Sequence, residues 1–87
     1  LPFDVQLIHV SAQCITQGAS LISYDDGTAV NDTLTVTAGT TPITQSAKGD
    51  FVGDQFPHMA KDSVIHLDIA HGSNFVDLVI VLTMTEG

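Results

Sequence analysis

The chain has 87 residues, with two lysines, no arginine and ten acidic residues, so its formal net charge at pH 7 is −8. Nucleic-acid affinity comes mainly from lysine and arginine contacts with phosphate, and this charge balance argues against direct phosphate binding. The longest uninterrupted apolar run, Leu78 to Leu82, is far shorter than the roughly 20 residues of a membrane-spanning helix. We therefore expect one small domain, residues 1–87, whose partners are neither nucleic acid nor membrane.

The first part of the chain predicts two long strands and a hairpin. Residues Phe3 to Cys14 read as a strand, with a bulge near Ile8 where the apolar face switches. A second strand follows at Ala19 to Tyr24. Asp25-Asp26-Gly27-Thr28 then predicts a tight hairpin, because Asp and Gly tolerate the positive φ angles of such turns, and pairs the second strand with Thr28 to Val30.

The second part of the chain predicts two further strands around a polar middle. Thr33 to Ala38 alternates threonines with apolar residues, as a half-buried strand does. Gln45 to His58 is rich in polar residues and glycine and predicts a loop, or a short strand and a loop. Ser63 to Ala70 alternates again, with its isoleucines and leucine facing inward and its polar residues facing outward.

The last segment, Phe75 to Glu86, is apolar on both faces and contains no Pro, Gly or Lys. Leu78, Ile80, Leu82 and Met84 share one face, and Val79 and Val81 lie on the other. A strand of this kind needs apolar cover on both sides. The pattern therefore predicts a fully buried strand at the centre of a sheet.

Several short strands separated by turn signals, with no apolar period of 3.6 residues, predict an all-β fold: an antiparallel β-sandwich with little or no helix. A domain of this size buries only about 60–65% of the surface of its unfolded chain, which leaves its stability marginal. Cys14 is the only cysteine, so no disulfide can form within the chain. Partners are the expected source of additional stability.

A metal site is suggested by His66 and Asp68, which share one strand face, and by His71 just beyond them. Zinc sites show closer spacings of Cys and His, and polar residues on one strand face are typical of a sandwich exterior. We predict no metal and no cofactor, and leave open whether these three residues bind a metal.

Nucleophilic catalysis would need a Ser or Cys beside a His and an acid, and Ser63 with His66 or Cys14 with His9 could be proposed. Cys14 continues the apolar face of its strand, which indicates a small core residue rather than a nucleophile. The chain also has no glycine-rich phosphate loop and no CxxC pair. The sequence predicts that this protein is not an enzyme.

Large apolar residues in loop or terminal segments have fewer core positions to fill, so we expect them to contact partners. The predicted interface anchors are Phe3, Phe51, Phe56 and Met59. Ordinary packing beneath a loop is the alternative for each of them.

The order of several short motifs resembles a known family. These are Pro2-Phe3-Asp4, Asp26-Gly27-Thr28-Ala29-Val30, Leu34-Thr35-Val36, Phe56 followed by Lys61-Asp62-Ser63-Val64-Ile65, and Asp77-Leu78-Val79-Ile80-Val81-Leu82. Together they resemble the small β-sandwich capsid decoration, or cement, proteins of tailed bacteriophages. The chain departs from that family at Val5 and at Lys61, where the family prefers Gly.

The resemblance implies a jelly-roll-like fold and a structural role on the capsid exterior of a virion. It implies homotrimers that bind the major capsid protein and reinforce the shell, without catalysis. Family members tend to carry another strand before the Pro2-Phe3-Asp4 piece. The resemblance therefore implies a sandwich without that first strand, which is removed, lies outside this sequence, or is supplied by a neighbouring chain.

The alternative function is a secreted β-sandwich module that binds carbohydrate or calcium. Carbohydrate modules usually stack sugars on exposed aromatic rings, yet Trp is absent and Tyr24 is the only Tyr. Asp25-Asp26-Gly27 resembles the start of a calcium loop but lacks the later carboxylates.

Overall fold

The computed structural model describes residues 1–15, 18–39, 41–71 and 77–87. It has two four-stranded sheets and a three-residue 3-10 helix at Lys48–Asp50. The strands are β1 (Val5–Gln13), β2 (Ala19–Asp25), β3 (Thr28–Ala29), β4 (Leu34–Val36), β5 (Ile43–Gln45), β6 (His58–Met59), β7 (Ile65–His71) and β8 (Val79–Glu86). All pairs between these strands are antiparallel, and the predicted β-sandwich is confirmed.

The first sheet is built around β1. Strand β8 lies along one side of β1 over its whole length, while β5 and β6 share the other side. The register of β1 against β8 shifts between Leu7 and His9, which confirms the predicted bulge at Ile8. Because the bulge adds one residue, Val5, Leu7 and Val10 all face the core and are buried.

The second sheet repeats this plan around β2. Strand β7 lies along one side of β2, and the short strands β3 and β4 lie along the other. The predicted hairpin between β2 and β3 is confirmed: its two central residues, Asp26 and Gly27, have φ angles of 47° and 87°. The turn also holds the start of β7, because Val64 N–H donates to the Asp26 carboxylate at 2.8 Å.

The short strands of the two sheets meet on one side of the sandwich, which we call the closed side. An isolated bridge joins Asn31 to Phe51 there, and a buried chain of amides crosses from one sheet to the other. The backbone N–H of Ser23 donates to Asn31 Oδ1, Asn31 Nδ2 donates to Gln45 Oε1, and Gln45 Nε2 donates to the main-chain oxygen of Asp32. These side chains are satisfied away from water, so they fix how the sheets align on this side.

The structure corrects the prediction for the last strand. Strand β8 has β1 as its single strand partner within the described part of the chain, so it lies at the edge of its sheet and not at the centre. One face of β8 is half-buried and the other is exposed. The prediction of a fully buried central strand was therefore wrong.

Smaller differences concern the middle of the chain and the strand ends. The segment predicted as Thr33 to Ala38 is a strand only over β4, and Ala38 is exposed rather than buried. Strands β5 and β6 arise at the two ends of the segment predicted to be largely loop, because both pair with β1. Residues 72–76, which hold the start of the predicted last strand, lie outside the described residues.

Candidate functional site

Strands β7 and β8 lie on the side of the sandwich opposite the closed side, which we call the open side. The inward-facing apolar residues of this side are all half-buried, whereas those of β1 and β2 are buried. They are Ile65, Leu67 and Ile69 on β7, and Leu78, Ile80, Leu82 and Met84 on or beside β8. The core is thus sealed by side chains at the closed side and remains partly accessible to water between β7 and β8.

The outward face of β8 also carries exposed apolar residues. Val79 is 57% exposed and Val81 is 51% exposed, and the outward residues that follow them are threonines. From Leu78 to Thr85 the segment has no charged residue. Covering these exposed apolar side chains with a partner is favourable, because it removes apolar surface from water.

Acidic residues lie at both ends of β8. Asp77 precedes β8, Glu86 is its last residue, and both are exposed. Lys48 and Lys61 are the only cations of the lysine and arginine type in the whole sequence. Strand β8 is therefore an apolar strand with an acidic residue at each end, in a protein of strongly negative net charge.

The four predicted interface anchors lie in different surroundings. Phe3 is 47% exposed, and Phe56 is half-buried, with its ring 5.6 Å from that of Phe51 in an edge-to-face arrangement. Phe51 and Met59 are each 1% exposed. Phe51 is buried because the segment between β5 and β6 folds over the closed side, and Met59 is buried because it lies on β6, which pairs with β1. The side chains of Phe51 and Met59 pack in the core, which was the alternative expected for them. Phe3 and Phe56 remain predicted contact residues.

The two side chains considered as nucleophiles, Cys14 and Ser63, occupy structural positions. Cys14 is fully buried, which confirms its prediction as a core residue. The Ser63 hydroxyl donates to the main-chain oxygen of Ala60 at 2.7 Å, within its own turn. His66, the partner considered for Ser63, is exposed on the outer face of β7 and lies edge-to-face against Tyr24, with ring centroids 6.1 Å apart.

His66 and Asp68 line one wall of a shallow groove of about 420 Å³, which Tyr24 and Gly27 complete. Within the residues that the structure describes, no group of three or more His, Cys, Asp or Glu side chains could hold a metal ion. The side chain of His71, the third residue of the suggested metal site, lies outside the described residues. The groove offers one aromatic ring, one imidazole and one carboxylate to a small polar ligand.

In the described parts of the chain, no helix has the length and apolar character needed to cross a membrane. Comparisons with protein-family models, with curated proteins and with solved structures found no match for this chain.

Sequence reasoning missed the outward valines of β8 as candidate contact residues. The apolar run that contains Val79 and Val81 was interpreted as a buried strand, since burial within a fold and burial against a partner select the same residue types. The signal that distinguishes them is the position of β8 at the sheet edge, which depends on pairing with β1 and is absent from the local pattern.

Proposed function

We propose that this protein is a structural virion protein that decorates and reinforces the capsid of a tailed bacteriophage. The observation that carries the proposal is the open side, an apolar surface formed by β7, β8 and the exposed Val79 and Val81. An 87-residue domain that leaves this much apolar surface in contact with water gains stability when a partner covers it. The function proposed is therefore contact and assembly, not catalysis.

The motif resemblance to capsid decoration proteins indicates which partners this surface would contact. It supports homotrimers bound to the major capsid protein on the virion exterior, where many copies act together. The net charge of −8 favours solubility of the free protein before it assembles. Phe3, exposed beside the start of β1, is a second apolar contact that such an assembly would cover.

The test is co-sedimentation of the purified protein with expanded, undecorated capsid shells of the phage that encodes it. We expect saturable binding to the shells and, by light scattering, a trimer of the free protein at about micromolar concentration. A protein that remains monomeric and stays in the supernatant at every concentration would contradict the proposal.

A secreted carbohydrate-binding module is the second candidate, because Tyr24 and His66 line the shallow groove together with Asp68. Glycan-array binding that is lost in Tyr24→Ala and kept in Phe3→Ala would favour it. A calcium-dependent rise in Tm would favour the calcium-binding form of the same candidate.

A further inference from the structure

The edge of β8 lacks the features by which edge strands usually avoid pairing with other chains. Such strands carry Lys, Pro or a bulge, or are very short. Strand β8 has eight residues and neither Lys nor Pro, and the bulge of this strand pair lies on β1. Because β8 pairs with β1 from Val79 to Glu86, its backbone is held extended along the whole edge.

The residue pattern of β8 is typical of a strand with neighbours on both sides, although β8 lies at the edge of its sheet. Ile80, Leu82 and Met84 face the core but are only half-buried, and Val79 and Val81 on the other face are exposed. An additional strand paired to the free edge would cover both rows, because its residues alternate between the same two faces. The same strand would narrow the gap between β7 and β8 on the open side.

The acidic residues at the ends of β8 favour one kind of added strand over another. A second copy paired antiparallel through its own β8 would bring the Asp77 end of one copy beside the Glu86 end of the other, between two chains of net charge −8. A segment with Lys or Arg at its ends would instead meet Asp77 and Glu86 with opposite charge. Both acids are exposed, so they select and orient such a segment more than they add affinity.

We infer that β8 accepts an extended segment of a partner protein by strand addition, and that this segment is apolar or β-branched in its middle and basic at its ends. The inference rests on the proposed function, because it assumes that the open side is a contact surface and specifies the kind of segment that binds there. Main-chain hydrogen bonds to the edge supply affinity, and the two apolar rows of β8 supply selectivity.

The experiment uses the full chain and a synthetic ten-residue peptide of valine, threonine and isoleucine with a lysine pair at each end. Amide hydrogen exchange measured by NMR is expected to show new protection in β8 and none in β7. A peptide of the same sequence, N-methylated at alternate residues on its pairing edge, tests whether main-chain hydrogen bonds are required. A peptide with glutamates in place of the lysines tests the charge requirement.

The matched variants are Val81→Lys and Val52→Lys. Val52 is 49% exposed, close to the 51% of Val81, and it lies on the closed side, where its N–H donates to the main-chain oxygen of Val30. We expect Val81→Lys to weaken peptide binding about tenfold or more, and Val52→Lys to change it less than about twofold.

Unprotected β8 amides at about 1 mM peptide, or equal binding of the N-methylated peptide, would overturn the inference. Protection of β8 that grows with protein concentration and without peptide would also overturn it, by assigning the edge to a second copy. If β8 stays unprotected while the protein still co-sediments with shells, strand addition fails and the proposed function stands. If the protein binds the peptide but does not co-sediment with shells, the proposed function fails and strand addition stands.

Discussion

The buried amide chain of the closed side predicts a large loss of stability for Asn31→Ala. Asn31 is 2% exposed and accepts from the backbone N–H of Ser23 at 2.6 Å while donating to Gln45 at 2.8 Å. The alanine variant loses both hydrogen bonds and leaves the Ser23 N–H and the Gln45 Oε1 atom without partners where little water can reach them. Each unsatisfied buried group costs about 1–3 kcal/mol.

We therefore expect Asn31→Ala to lower the free energy of unfolding by about 2–5 kcal/mol. A domain of this length has a total stability of only about 4–13 kcal/mol, so the variant would lose a large part of it. In thermal unfolding, a loss of 3 kcal/mol corresponds to a fall in Tm of roughly 12–24 °C.

The assay is urea unfolding followed by circular dichroism, with Asp32→Ala as the control. Asp32 is exposed and contributes to the amide chain through its main-chain oxygen, which the substitution keeps. The control should change the free energy of unfolding by less than about 0.5 kcal/mol. If Asn31→Ala were as mild as the control, the amide chain would not link the two sheets in the way described.

Three further predictions concern the core and one tight contact. Ser23→Ala should leave the free energy of unfolding unchanged or raise it by up to about 1 kcal/mol, since the fully buried Ser23 hydroxyl has no hydrogen-bond partner; urea midpoints would show it, and a clear loss would contradict it. Gly18→Ala should cost about 1–3 kcal/mol because its Cβ would lie 2.6 Å from a carbonyl oxygen of β4, whereas Gly49→Ala meets nothing within 4 Å and serves as the control in thermal melts. Phe51→Ala should cost about 3–5 kcal/mol and Phe3→Ala less than about 1 kcal/mol by chemical unfolding; equal costs would contradict their different burial.

Features encoded locally could be predicted from the sequence. The bulge at Ile8 follows from a switch of the apolar face within one run, and the hairpin at Asp26-Gly27 follows from residues that accept positive φ. Strand β7 follows from strict alternation between apolar and polar residues. In each case a few neighbouring residues specify the conformation.

Features that depend on distant pairing could not be predicted in the same way. Strands β5 and β6 have three and two residues, too few to show a period, and they exist because both lie against β1. Phe51 is a core residue because the segment between these strands folds over the closed side, and Met59 is one because β6 lies against β1. A loop-like sequence gives no sign of that fold.

The candidate site was predictable only in part. The exposed Phe3 was expected as a contact residue, whereas the valines of β8 were expected to be buried. An apolar run indicates that the side chains of a strand are buried, but it does not indicate whether the strand's own fold or a partner buries them. Only the placement of β8 at the sheet edge makes that distinction.

The proposed role of the open side as the contact surface of a capsid module is tested most directly by comparing three proteins in one co-sedimentation series. Wild-type protein, Val81→Lys and Val52→Lys are each titrated against expanded, undecorated shells of the phage proposed to encode the protein. We expect saturable binding of the wild type and of Val52→Lys, and a loss of about tenfold or more in affinity for Val81→Lys with an unchanged Tm. Equal binding of all three proteins, or no binding by any of them, would contradict the proposed role.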